Sequence, residues 1–559
     1  MSAILIFNRE RCLACRACEL ACSVAHSESG RLETAIAEEL PPRRRVTLAA
    51  GKDGIEALRC EQCAEPLCAF SCKSGALHRD PVSGWIALEE SRCVGCFMCL
   101  MVCPHGIRPD PATDRVVRCD VCRDREIPAC VAACPTGALF AGPPPARPEP
   151  TDFQGHVVVV GSSAAGIAAC EAAREYAPAC SITLVTADAS PQYSRPLLSY
   201  VLAGRIGRPA IYWPESDLNI RTLHAVGHAL ACQSLLLTDG TPLPFDRLII
   251  ATGARATTLS IPGANLPGVH SLRNLEDLVE IENQAAPTRR AVVLGGGNVG
   301  LQTCEALLAR GLTVTVVVTS PYLLSQMVDA EAGRRIAGLF MRHGLNLRTG
   351  RDAVEIIGAT HVEAVRLDDG ELIAADLVIV GKGIQPNVEW LHGSGVRVNR
   401  GIVVDLCGRT SVPGIFAAGD CAESIDPLTG RSAVSGIWPV AYEMGRAAGA
   451  AAVGIERPSA GALRMNASRF FGEPIISIGE VCPERLEGAS AEVLENRDGV
   501  YRKLVHHQGR LAGALLYGDI SGAGTFYRQS RTDHRLLWSV NPTDDRNRSS
   551  VPPLPPGVI

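Results

Sequence analysis

An unbroken apolar run, "HVVVV" at residues 156–160, leads straight into the Ala-rich stretch "AAGIAACEAAREY". That pattern predicts a buried strand followed by a helix. A second strand, "SITLVTADAS", comes next. The arrangement recurs in "AVVLGGGNVGLQTCEALLARGLTVTVVV", residues 291–318. Strand, glycine turn, helix and strand, met twice, predict an α/β chain with two Rossmann-like nucleotide-binding domains. The apolar runs are strand-length, and none reaches the ~18 residues of a spanning helix. Residues 1–140 follow a different rule and are organised by cysteine.

Composition changes this picture little. The 559 residues allow three to four domains, and 47% hydrophobic with 20% charged residues suits packed globular folds. A net charge of −5 over this length points neither to nucleic acid nor to an anionic membrane as partner. "MSAILIFNRERC" has no long apolar stretch before the cysteines begin, so a cytoplasmic location is expected. A reducing compartment disfavours structural disulfides and puts metal first in reading the 23 cysteines.

Sixteen of those cysteines form four groups: Cys12, Cys15, Cys18, Cys22; Cys60, Cys63, Cys68, Cys72; Cys93, Cys96, Cys99, Cys103; and Cys119, Cys122, Cys130, Cys134. The first and third read C-x2-C-x2-C-x3-C. Three thiolates at that spacing wrap three corners of an iron–sulfur cube, and the fourth ligates a second cluster. The other two groups stretch the middle gap. Zinc is the competing reading of an isolated C-x2-C pair, but a tetrahedral ion has no use for the triplet. Sixteen thiolates at four per cube predict four [4Fe–4S] clusters. Cys103-Pro104 and Cys134-Pro135 carry the proline usual after the fourth thiol; Cys22-Ser23 and Cys72-Lys73 do not. Spacing leaves the pairing open between sequential (one with two, three with four) and nested (one with four, two with three). With so little chain around four clusters, the clusters are expected to hold the segment together. His26, His78 and His105 are expected to be solvated or packed rather than ligands.

"AGPPPARPEPTDFQ", residues 141–154, reads as a Pro-rich linker. The first nucleotide turn is Gly161, Ser163, Gly166, with serine in the middle glycine position; the second is an intact Gly295, Gly297, Gly300. Such turns let a pyrophosphate approach a helix N-terminus. The acid that holds the adenosine ribose is expected where Thr186 stands, and Asp188 is its substitute. Both nucleotide sites lie after the spacer, so residues 148–559 are expected to fold alone.

Several stretches carry family resemblances. "ACSVAHSESGRLETAIAEELPPRRRV", "CFMCLMVCPHG" and "CDVCRDREIPACVAACPTGAL" resemble the four-cluster ferredoxin subunits of bacterial oxidoreductases, above all those serving carbon monoxide dehydrogenase. That resemblance implies nested ligand sets: Cys12, Cys15, Cys18 with Cys134; Cys22 with Cys119, Cys122, Cys130; Cys60, Cys63, Cys68 with Cys103; Cys72 with Cys93, Cys96, Cys99. "LIIATGA" (Thr252, Gly253) and "GIFAAGDCAES" (Gly419, Asp420) resemble signatures of the pyridine nucleotide–disulfide reductase fold, and imply that Asp420 meets the flavin ribityl chain. "PQYSRPLLSYVLAG", with Arg195 and Pro196, and "VYRKLVHHQGRLAGALLYGD" resemble assimilatory nitrite reductase and rubredoxin reductase. Relatives with a redox thiol beside flavin would place it near Pro196, which cannot serve.

The implied organisation is a four-cluster domain (1–140), the linker (141–154), an FAD domain (155–267 and 385–455), an NAD(P) domain (268–384), a small α+β domain (460–545) and a disordered tail (546–559). Flavin belongs between a two-electron nicotinamide and one-electron clusters, so the expected path is NAD(P)H, FAD, four cubes and a partner enzyme. The partner types considered are carbon monoxide dehydrogenase and an aldehyde-oxidising tungsten enzyme; self-association is left open. No catalytic acid or base is needed for hydride transfer. Val318 stands where an acid would bind the 2′-OH, Gln302 replaces a usual Glu, and Gly381 belongs to the nicotinamide side, next to Lys382, read as solvated. The coenzyme stays open between NAD(H) and NADP(H), with resemblance favouring NAD. The rival functions are a flavoenzyme reducing a small sulfur or nitrogen acceptor, and a non-catalytic scaffold.

Overall fold

A computed structural model describes residues 4–39, 43–51, 54–80, 83–110, 112–143, 149–213, 218–231, 233–287 and 289–535. The expected tail, 546–559, and the centre of the linker, 144–148, lie outside the described residues.

The cysteine-rich segment closes on itself. Strand Ile4–Phe7 pairs antiparallel with Leu139–Gly142, bringing the segment's two ends side by side. Between them lie three hairpins: Thr47–Gly51 with Gly54–Leu58, Leu77–Arg79 with Ile86–Leu88, and Arg108–Asp110 with Arg115–Val117. Each cysteine group runs into one short helix: Ala17–Ala25, Leu67–Phe70, Met98–Val102 and Ala129–Ala132. The first packs on the last, and the second on the third.

Two parallel five-stranded sheets follow. One runs 221–224, 181–186, 156–160, 247–250, 415–417, with Val157, Val158 and Val159 fully buried at its centre. The last strand comes from far down the chain, so residues 155–250 and 415–417 build one sheet. The second sheet runs 269–270, 377–380, 290–294, 313–318, 346–349. Each has a three-stranded antiparallel companion, 227–244 and 353–374. The unbroken valine runs form central strands because both faces are covered. A third, antiparallel sheet, 465–517, ends in helix Ala523–Arg535. None of the described helices is long and apolar enough to cross a membrane.

The iron–sulfur segment does not hang on its spacer. Phe97, Met98, Cys99, Met101 and Val102 share one apolar core with Val157–Val160 and helix Trp438–Ala452. Helix Ala523–Arg535 packs on Met98–Val102 so closely that a Cβ on Gly524 would sit 2.0 Å from the Cys103 carbonyl. Thr151, inside the expected linker, bonds the Tyr176 and Val453 carbonyls. Beside whatever the clusters contribute, the module therefore also packs on the nucleotide-binding part, and residues 148–559 alone would expose the apolar side that it covers.

Candidate functional site

Many of the sixteen thiols lie close to thiols of another group. Cys60, Cys63, Cys68 and Cys103 line one cavity with Pro66, Ile86, Ile107 and Arg118, and the Arg118 guanidinium donates to the Cys60 sulfur at 3.1 Å. Burial, followed by Cys103, Cys60 and Cys63, drives the Cys68 thiol well above its ordinary value. Burial, followed by Cys60, Cys103 and Glu61, pushes Cys63 up to about 12. Burial and then Cys72, Cys96 and Cys93 act likewise on Cys99. Cys130 feels burial and then Cys119, Cys22 and Cys122, and Cys134 bears on Cys18. Among the described residues, the thiols that bear on Cys68, Cys99, Cys130 and Cys18 come from the second group with the third and the first with the fourth. Backbone N–H groups aim at several sulfurs: Leu77 at Cys72 (3.2 Å), Ala138 at Cys134 (3.2 Å) and Arg45 at Cys22 (3.1 Å). Buried thiols crowded together, with no disulfide among them, need a cationic centre to ionise jointly, and such N–H···S bonds tune one. The donor set fits iron–sulfur clusters.

The histidines bond within the module. His26 Nε2 lies 3.2 Å from Asp120, His105 Nδ1 3.3 Å from Glu61, and His78 Nδ1 3.3 Å from the Gly75 carbonyl.

At the first nucleotide turn, Gly161 has φ +112°, and a Cβ there would lie 2.1 Å from the Ala251 carbonyl. A Cβ on Gly166 would lie 1.7 Å from the Gly161 carbonyl, so helix Ala164–Tyr176 can start only against bare backbone. Ser163 caps it in extended conformation. Thr186 ends its strand with its hydroxyl 2.8 Å from that of Ser162, and accepts the Asp188 N–H. The Asp188 carboxylate binds Arg195 at 2.6 Å, and that guanidinium stacks on Tyr193 at 5.0 Å. Pro196 lies in the single turn Arg195–Leu197. The Thr252 hydroxyl donates to the Asn387 carbonyl (2.9 Å), and Asn387 N–H to the Gly253 carbonyl (3.0 Å), pinning the returning chain. Asp420, beside Gly419, pairs with Arg273 at 2.7 Å. Sequence reading missed Arg273, whose partner is 147 residues away.

At the second turn, Cβ atoms on Gly295 and Gly300 would strike the Gly381 and Gly295 carbonyls at 2.4 and 2.2 Å. A Cβ on Gly297 would meet nothing within 4 Å, leaving the N-terminus of helix Asn298–Ala309 open for a ligand. Val318 is buried at the end of Thr313–Val318, and Gly381 N–H donates to the Leu294 carbonyl at 2.8 Å. Lys382, read as solvated, is partly exposed and pairs with Asp352, itself partly exposed. Gln302 accepts from the Ser199 hydroxyl at 3.0 Å, tying the two nucleotide halves together.

The neighbourhood of Cys72, Cys93, Cys96 and Cys99 faces the reductase. Lys73 Nζ lies 3.3 Å from the Tyr200 hydroxyl, and Arg92 donates to the Tyr212 carbonyl at 2.8 Å. Phe70 stacks on Tyr442 at 5.3 Å. The Cys12–Cys22 group belongs to a separate apolar cluster with no reductase residue in it, and Cys15 is exposed. Cys170 and Cys421 are fully buried in the core.

Two dinucleotide folds joined to an iron–sulfur module define an NAD(P)H-linked, iron–sulfur flavoprotein oxidoreductase. The chain belongs to the pyridine nucleotide-disulphide oxidoreductase family, which matches residues 155–445. Residues 54–143 match a 4Fe-4S dicluster domain, and 465–529 the rubredoxin NAD+ reductase C-terminal domain. The chain is similar to nitrite reductase [NAD(P)H] of Bacillus subtilis (strain 168), at 32% identity over 65% of this chain. It spans under half of that protein's length, 46%. The NADH-dependent phenylglyoxylate dehydrogenase subunit epsilon of Aromatoleum evansii is 31% identical over 72% of this chain and 96% of its own length. Among solved structures, the covalent putidaredoxin reductase–putidaredoxin complex superposes with a TM-score of 0.62 at 27% identity, covering 68% of this chain and 93% of that one.

Proposed function

We propose that the chain is the NAD(H)-linked electron-transfer subunit of a larger redox enzyme, with FAD between the nicotinamide and four [4Fe–4S] clusters. The observation that carries this is the placement of the thiol neighbourhoods: the Cys72 set shares a core with the flavin half, and the group containing exposed Cys15 lies outside that core. The matched dicluster domain accounts for two clusters; the Cys12–Cys22 group, outside it, and the sixteen grouped thiols support four. The ligand sets are Cys72, Cys93, Cys96, Cys99; Cys60, Cys63, Cys68, Cys103; Cys22, Cys119, Cys122, Cys130; and Cys12, Cys15, Cys18, Cys134.

When bound, FAD takes two electrons from a hydride donor and releases them singly. The chain's own residues bind and orient. The Gly161–Gly166 turn and its helix N-terminus hold the flavin pyrophosphate, and Asp188, fixed by Arg195, holds the adenosine ribose. Thr252, Gly253 and Gly419 shape the cradle, and Asp420 meets the ribityl chain with Arg273 as its counter-ion. Gly297 and the Asn298–Ala309 N-terminus hold the nicotinamide coenzyme's pyrophosphate; Val318, with no acid there, sits at its ribose, and Gly381 lines the ring side. Residues 195–202 contain no cysteine, so a disulfide exchange beside flavin is not available, and electrons leave by the module.

The subunit epsilon relative, matched along nearly its whole length, supports a multisubunit dehydrogenase as the setting. Carbon monoxide dehydrogenase and a tungsten aldehyde enzyme are the partner types that the module's sequence suggests. Purification from native cells under anaerobic conditions tests this: a separate catalytic subunit should co-purify, with NADH formation or consumption dependent on both. A chain that turns over NADH with a small acceptor alone, with no partner, returns the reading to a small-molecule flavoenzyme.

A further inference from the structure

Two of the four fourth-position thiols, Cys103 and Cys134, are followed by proline; Cys72 is followed by lysine. A proline there only turns the chain. Lys73 does something else. It is 6% exposed, in a protein interior where an ammonium without a counter-charge is costly. Among the described residues no carboxylate pairs with it. Its one hydrogen bond is to the Tyr200 hydroxyl, 3.3 Å away, and its Nζ stands 4.6 Å from the centre of that ring. The other charges that act on it are the sulfurs of Cys96 and Cys72.

Both partners lie on the electron path. Tyr200 belongs to helix Leu198–Leu202, directly after the Arg195–Pro196 turn on the flavin side. Cys72 and Cys96 belong to a thiol set that shares the core with the flavin half. The neutralising charge for Lys73 is then the cluster itself, because a cube held by four thiolates is net anionic and becomes more so on reduction. A fixed cation beside it favours the reduced form over the oxidised one.

We propose that Lys73 is a positioning residue that makes the flavin-side cluster the entry point of the wire, by raising that cluster's reduction potential and anchoring it to Tyr200. The inference rests on the cluster and flavin assignments above. The step concerned is transfer of one electron from reduced flavin to the cube; no bond is made or broken, and flavin loses the electron that the cube gains. Arg118, also buried, bonds the Cys60 sulfur of another set at 3.1 Å; Lys73 is the buried lysine, among the described residues of the module, at the set that shares the flavin-side core.

The test is an anaerobic redox titration of the holoprotein, followed by electron paramagnetic resonance, on wild type, Lys73→Met, Lys73→Gln and Lys73→Arg. Iron and flavin per chain are measured on each. In Lys73→Met and Lys73→Gln, one cluster should need a potential lower by ~59 mV or more, a tenfold change in its reduced-to-oxidised ratio. The other clusters should not move, and Lys73→Arg should restore the wild-type value. Unchanged midpoints in fully loaded Lys73→Met would overturn the proposal and leave Lys73 as packing against Tyr200. So would failure of both neutral variants to load iron while Lys73→Arg loads, since the charge would then serve assembly. Wild-type protein without iron would instead defeat the cluster assignment itself.

Discussion

Glu65 is the residue through which the module's attachment can be tested. Its carboxylate receives the Tyr176 hydroxyl at 3.2 Å, pairs with Arg457, and lies 3.4 Å from Arg446 Nε. Arg446 is 7% exposed at its side chain, bonds Glu175 at 2.5 Å, and lies over the Phe70 ring at 4.8 Å. Glu65→Gln keeps the volume and removes the charge. Arg446 retains Glu175, so the guanidinium is not orphaned. What is lost is one charge-assisted hydrogen bond and the Coulomb attraction of two arginines. Hydrogen bonds to charged groups contribute about 1.5–3 kcal/mol. Glu65 and Arg457 are about a quarter exposed, so solvent screening argues for the middle of that range, about 2 kcal/mol. That weakens docking ~30-fold at 1.4 kcal/mol per decade. The assay is amide hydrogen exchange in Leu67–Phe70 and Trp438–Ala452, whose protection should fall by a similar factor if opening is local. In stopped flow, NADH should reduce flavin at the wild-type rate while the clusters follow more slowly. Equal exchange and equal cluster reduction in Glu65→Gln would refute the claim that this network holds the module in place.

Anaerobic protein should contain about sixteen irons, four per cube, and no stoichiometric zinc by metal analysis; Cys68→Ser should lose one cube's iron and signal. Asp420→Ala should retain its clusters but bind FAD at least tenfold more weakly in an equilibrium titration, since it removes the proposed ribityl contact and the carboxylate partner of Arg273. Gly297→Ala should keep wild-type thermal stability yet bind NADH much less tightly by calorimetry, because its Cβ enters space that only a coenzyme would fill. Gly300→Ala should instead unfold several degrees earlier, its Cβ forced to within 2.2 Å of a carbonyl oxygen. A chain starting at residue 148 should aggregate or lose stability, since Tyr442 and Tyr527 pack in the core it shares with the module.

What was legible in the sequence was local. The C-x2-C-x2-C-x3-C spacing and the Gly295, Gly297, Gly300 turn each lie within a dozen residues, so covalent geometry alone restricts what they can hold. What escaped was long-range. Arg273 reaches Asp420 across 147 residues, and Glu65 accepts from Tyr176 across 111. No periodicity announces such a pair, because an arginine on a polar surface and one inside an interface read alike. Lys382 illustrates the same limit: its partly exposed position could be read from its neighbours, but its partner Asp352, 30 residues away, could not.

The shared core explains why fusion suits this chemistry. Electron transfer from flavin to a cluster needs a fixed, short separation, and a spacer alone gives only a high effective concentration. Packing supplies the fixed part: Phe70 on Tyr442, Met98–Val102 under Ala523–Arg535, and Lys73 on Tyr200 all join the flavin-side thiol set to the reductase. Among the described residues, the apolar cluster of the distal group contains no reductase residue, and the group carries exposed Cys15, Leu13 and Leu20. On the proposed path, one end of the module serves permanent contact and the other exchange. A short, rigid first step and an accessible last one are what a subunit needs if it is to feed, or drain, a second protein without exposing its flavin.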